Sequence, residues 1–277
     1  MTHMKRLSLR RIAYMLCVVV LSELLLSGCG AVPLTGRRQI LLVSDQEIFQ
    51  AGLVQYREYL GSATLSSNSS ATAMVKNVGQ KLADATESYL RANGFESELS
   101  NFAWEFNLVK DTQVNAFCMP GGKIVVYEGL LSVAKTEAEL AVVLGHEIAH
   151  AVAKHSNERM SQQILAQYGM AILSSALSEK SAIVRETATT VFGLGAQVGM
   201  MLPYSRKHEY EADYMGIVFM EIAGYDSNCA VEFWSKMAAL GESSVPEFLS
   251  THPSDSKRIA NLQGKISDAK SVAQSMR

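Results

Sequence analysis

Three histidines and a glutamate stand inside a run that otherwise reads as core: Val142-Val143-Leu144-Gly145-His146-Glu147-Ile148-Ala149-His150-Ala151-Val152-Ala153-Lys154-His155. Imidazole and carboxylate groups are costly to bury without partners. A helical residue advances about 100° and 1.5 Å, so His146 and His150 lie about 40° apart on one face and can reach a single ion. Glu147 sits one step round, beside that ion but off the ligand line. This is the His-Glu-x-x-His pattern: two zinc ligands and a carboxylate able to take a proton from water. His155 falls about 140° beyond His150 on a continuous helix and is expected to face away from the metal, toward solvent or a partner helix.

A catalytic zinc needs a third protein ligand and an open fourth position. Beyond the motif, the histidines are His3, His208 and His252. The stretch Ser205-Arg206-Lys207-His208-Glu209-Tyr210-Glu211-Ala212-Asp213 puts Glu209 and Asp213 four apart, on one helical face. The expected division of labour is that Glu209 binds the metal. Asp213 then accepts a hydrogen bond from the far nitrogen of a ligand histidine and fixes its tautomer. Glu211, about 200° round from Glu209, points elsewhere.

The elements that must hold these residues are mostly helices. Ser44-Asp45-Gln46-Glu47 is a capping box opening a helix to about Leu60. After a polar loop at 61–72, a second helix carries Val75, Val78, Leu82 and Ala85 on one stripe. Residues 102–109 alternate as a strand, and 114–120 and 123–127 flank Gly121-Gly122 as a hairpin or tight turn. Thr136 and Glu139 cap the helix bearing the motif. Further helices cover about 157–178, 182–201, 206–223, 227–240 and 255–275. The apolar stretch 187–202 is read as a packed helix rather than a membrane span, because Arg185, Glu186 and Gln197 interrupt it. The fold class is α+β, mainly helical, with a small sheet beside the active-site helix.

The chain has 277 residues and a net charge of −2, which gives no electrostatic case for nucleic acid. Its start is unlike the rest. Lys5, Arg6, Arg10 and Arg11 precede a short apolar run and then Ser27-Gly28-Cys29, the form of a secretory signal. Residues 30–43 read as a tether. With Cys17 in the signal, Cys118 and Cys229 remain, and sequence leaves open whether they pair.

Several segments resemble a known family. His146-Glu147 within GHEIAH (145–150), Glu209-x-x-x-Asp213, VNAFCMPGGKIVVYEGLL (114–131) and THPSDSKRI (251–259) together resemble the zinc metallopeptidase family of the CAAX prenyl protease, of gluzincin type. The likeness is to its soluble periplasmic lipoprotein branch, which includes LoiP and the beta-barrel assembly-enhancing protease. It spans about residues 30–270. It implies a zincin-like domain over 44–277, one Zn2+ per chain on His146, His150 and Glu209, Glu147 as general base and Asp213 behind a ligand. It implies that Asn115, Ala116 and Phe117 border the cleft and can pair with an extended substrate. His252 is implied either to stabilise the oxyanion or to close onto zinc and silence it. Arg206 and Arg258 match basic positions, Arg206 expected to brace acidic groups of the site and Arg258 to fix the last helix.

Leu26-Ser27-Gly28-Cys29 also resembles a lipobox, which implies cleavage after residue 28 and a lipid on Cys29. Removing 1–28 makes the chain more acidic, so attachment to a membrane would come from the lipid. The expected place is the periplasmic face of the outer membrane, and the expected activity is endoproteolysis of unfolded or misassembled envelope proteins. The competing expectation is a self-silenced assembly factor or holdase for outer-membrane proteins, working beside their assembly machinery.

Overall fold

The computed structural model describes residues 29–168, 204–241, 246–252 and 256–276, with a few positions between 182 and 191. Residues 1–28 and most of the 182–201 stretch lie outside it. Among the described residues no helix is long and apolar enough to cross a membrane.

Two helices lead. Helix α1 (Asp45–Ser62) begins with the Ser44/Glu47 capping box, and α2 (Ser69–Ala92) is capped by the Asn68 side chain. A three-stranded sheet follows, built from β3 (Glu105–Val109), β4 (Ala116–Met119) and β5 (Lys123–Tyr127) in the order β3-β5-β4. β4 and β5 are antiparallel across Gly121-Gly122, both at positive φ, while β3 runs parallel to β5. The last two strands are buried at every position rather than alternating, because both faces are covered. Phe106, Leu108, Ile124 and Val126 join a core with α2 and the helices behind it. Phe117, Val125 and Tyr127 join a second cluster with Tyr56 and Tyr59 of α1.

Behind the sheet lie α3 (Glu137–Val152), started by the Thr136/Glu139 capping box, and α4 (His155–Tyr168). They are followed by α5 (Arg206–Ile222), α6 (Asn228–Gly241), the short α7 (Glu247–Thr251) and α8 (Ser256–Ser275). α3 and α5 cross at Gly145 and Gly216. A Cβ on Gly216 would stand 3.0 Å from both the Gly145 carbonyl carbon and the His146 nitrogen, so the helices meet backbone to backbone.

The stretch expected to be a tether is packed instead. β1 (Cys29–Ala31) pairs antiparallel with β2 (Arg38–Ile40), Val32 and Val43 are buried, and Asn157 donates to the Val43 carbonyl at 2.8 Å. Strands of three residues carry too little periodicity to be seen in sequence. Cys118 and Cys229 are free thiols.

Candidate active site

The crossing of α3 and α5 sets the site. His146 and His150, one turn apart on α3, bring their Nε2 atoms to 3.0 Å of one another. Glu209, in the first turn of α5, reaches both: Oε2 is 3.4 Å from His146 Nε2 and Oε1 is 3.4 Å from His150 Nε2. His252, just past α7, places Nδ1 3.2 Å from His146 Nε2 and 3.2 Å from Glu209 Oε1. Ligand atoms of all four lie within 4.8 Å of one another, and all four residues are buried. Glu147 lies beside them, its Oε1 3.4 Å from His252 Nε2 and without a hydrogen-bond partner.

Each histidine of the motif is held from behind. His146 Nδ1 is 3.0 Å from Asp213 Oδ1. Asp213 in turn accepts a fork from Arg258, at 2.6 Å from Nε and 2.7 Å from Nη2. Arg258, in the first turn of α8, thereby ties the last helix to the site, as expected. It is fully buried at the site, its Nη1 2.8 Å from Glu209 Oε2 though misaligned for a hydrogen bond, and its guanidinium lies over the Trp234 ring at 4.2 Å. Arg206, expected to brace the site, is exposed on the first turn of α5.

His155 departs from its expected position. α3 ends at Val152, and Lys154 takes a left-handed φ of 54° before α4 begins, so the chain turns back. His155 is buried with Nδ1 2.8 Å from His150 Nδ1 and Nε2 2.9 Å from Glu211 Oε2. The continuous-helix angle was the wrong premise. Tyr204, which no motif announced, stacks on the His150 ring at 4.0 Å.

The expected substrate strand is an edge strand, but its geometry is more specific. Tyr127 N donates to the Asn115 carbonyl, so the ladder's alternation turns Asn115 and Phe117 toward β5. The main-chain groups of Ala116 and Cys118 face the other way. The Phe117 ring points into the α1 cluster, away from the histidines. Val114 O already accepts from Phe248 N of α7 at 3.1 Å.

The electrostatics fit a cation. Burial drives the His146 imidazole down, but Asp213 and Glu209 outweigh it and lift it to about 9. Burial, with His146 adding, holds His150 well below its ordinary value, as a neutral ligand requires. Burial raises the Glu209 carboxyl, yet Arg258, His252 and His146 bring it well below the ordinary range. A set of three imidazoles and one carboxylate, with buried oxygens of Glu147 and Glu209 lacking hydrogen bonds, is the donor chemistry of zinc.

A second ionic cluster adjoins the first. Burial raises the Glu158 carboxyl, but hydrogen bonds from His208 and the Arg37 fork bring it down to about 2. A depressed carboxyl stabilises the fold fully above its ordinary value of 4.5, and that contribution is lost as pH falls through about 2. Urea midpoints of the native chain are therefore expected to fall more steeply across that window than those of Glu158→Gln. Parallel curves would rule out this role.

Residues 71–266 match peptidase family M48, and the chain belongs to that family of zinc metallopeptidases. It is 40% identical over 168 residues to the mitochondrial metalloendopeptidase OMA1 of Arabidopsis thaliana, covering 61% of this chain and 33% of that one. It is 28% identical over 244 residues to human mitochondrial metalloendopeptidase OMA1 (86% and 46%). It is 31% identical over 175 residues to the beta-barrel assembly-enhancing protease of Yersinia pestis (60% and 35%). The chain spans about a third to a half of the length of these relatives. The mitochondrial proteins are a group that the sequence reading did not name.

Proposed function

We propose that the chain is a zinc-dependent endopeptidase hydrolysing unfolded or misassembled cell-envelope proteins, held by a lipid on Cys29 at the periplasmic face of the outer membrane. The observation that carries the enzymatic part is the convergence of His146, His150 and Glu209, with the Glu147 carboxylate oxygen directed beside them and unpartnered. In this reading those three residues bind zinc and Asp213 orients His146. Zinc held there supplies the Lewis acidity that makes water nucleophilic near neutral pH and polarises a peptide carbonyl. Glu147 takes the proton from the attacking water and passes it to the leaving amine. The outward main-chain groups of β4 pair with an extended peptide, which suits substrates defined by being unfolded rather than by sequence. The names of the relatives support a protease, and the assembly-enhancing protease supports envelope substrates. The anchor rests on Leu26-Ser27-Gly28-Cys29.

The test is cleavage of casein by the full zinc-loaded chain. Chelation is expected to abolish cleavage and added zinc to restore it. A chain that binds one zinc and cuts nothing would sink the enzymatic reading.

One observation favours the silenced assembly-factor reading. His252 lies among the ligand atoms, and the helix before it holds Val114 O on the substrate edge. His252→Ala separates the two: cleavage rises if His252 silences the site, and falls if its imidazole donates to the oxyanion.

A further inference from the structure

Asp213 and Arg258 account for His146, but nothing in the family pattern accounts for what holds His150. If His150 binds metal through Nε2, its Nδ1 carries the proton and must donate. Among the described residues, the polar atom at hydrogen-bond distance from that Nδ1 is Nδ1 of His155, at 2.8 Å. His155 Nδ1 must then accept, which puts its own proton on Nε2, 2.9 Å from Glu211 Oε2. The opposite proton order would leave a hydrogen on His150 Nε2 and bar it from a metal. Glu211 is fixed in turn by the N-terminal hairpin: Arg37 Nε donates to Oε2 at 2.7 Å and Thr35 Oγ1 to Oε1. Arg37 spans to Glu158 through its other two nitrogens.

We propose that His155, Glu211 and Arg37 form a relay that fixes the tautomer and orientation of His150, so that the hairpin at residues 29–40 is part of the zinc site. The two ligand histidines are thus anchored alike, each ending on a carboxylate locked by an arginine. One line is direct and the other passes through a second imidazole. These are positioning residues. Thr35 and Arg37 lie outside the matched span 71–266. The proposal rests on the reading of His150 as a ligand.

The test uses the full chain and zinc itself. Zinc affinity is measured by competition with a chromogenic chelator, and the visible absorption of the Co2+-substituted protein reports ligand geometry. Circular dichroism and thermal unfolding of the zinc-free protein confirm folding. His155→Phe removes the acceptor and is expected to weaken zinc about 10- to 100-fold and to change the Co2+ bands. His155→Asn can offer its amide oxygen near the place of Nδ1 and is expected to recover much of the loss. Arg37→Ala, more than one residue removed from the metal, is expected to shift affinity in the same direction, and it carries the test if the phenylalanine does not fold. Folded variants with native affinity and an unchanged Co2+ spectrum would overturn the relay while leaving the ligand reading intact. A native chain that binds no zinc would overturn both.

Discussion

Glu147→Gln is expected to keep its zinc and lose cleavage by about a hundred- to ten-thousand-fold, the range that a positioned proton acceptor contributes. Glutamine matches glutamate in shape, so the helix and the ligands should be undisturbed. What changes is basicity. Burial pushes the Glu147 carboxyl above its ordinary value, while His252 and His146 draw it down less strongly. A carboxylate raised in this way is a better base than a solvated one. Zinc content and casein cleavage measured side by side decide the matter. Equal cleavage by both proteins would mean that another group takes the proton.

Arg258→Met is expected to cost about 3–5 kcal/mol of stability in the zinc-free protein. The guanidinium is 1% exposed and lies against two carboxylates that are themselves buried, Glu209 and Asp213. Methionine replaces the stem but leaves both anions in a low-dielectric interior with too little positive charge. Arg258→Lys restores the charge without the fork and should recover only part of the loss, since Asp213 uses two separate guanidinium nitrogens. Bound zinc would offset some of the deficit at Glu209, so the penalty should shrink in the metal-loaded protein. Urea unfolding with and without zinc reads both effects. A penalty below about 1 kcal/mol would show that water, not Arg258, compensates these carboxylates.

The parts legible in the sequence are those governed by local rules. The capping boxes at Ser44 and Thr136, the stripe of α2 and the hairpin at Gly121-Gly122 all depend on neighbours in the chain. The four-residue spacings of His146/His150 and Glu209/Asp213 translated directly into shared faces. What was lost depended on a single backbone state or on distant partners. Lys154 breaks the helix without glycine or proline, so His155 was assigned to the wrong side. Arg258 gave no sign of burial, because an arginine in a helix near the C-terminus usually faces water. Arg37 sat in a stretch whose strands were too short to announce themselves. The parallel pairing of β3 with β5 spans residues too far apart for any local pattern.

The backbone contact between Gly145 and Gly216 carries a genetic consequence. A side chain added at either position meets main-chain atoms of the partner helix, not a neighbour that could be trimmed in return. The opposing residue is already the smallest available. A lesion at one glycine therefore has no compensating substitution at the other. A selection for restored function should return reversion at the altered codon, and the two positions should tolerate no exchange of volume between them.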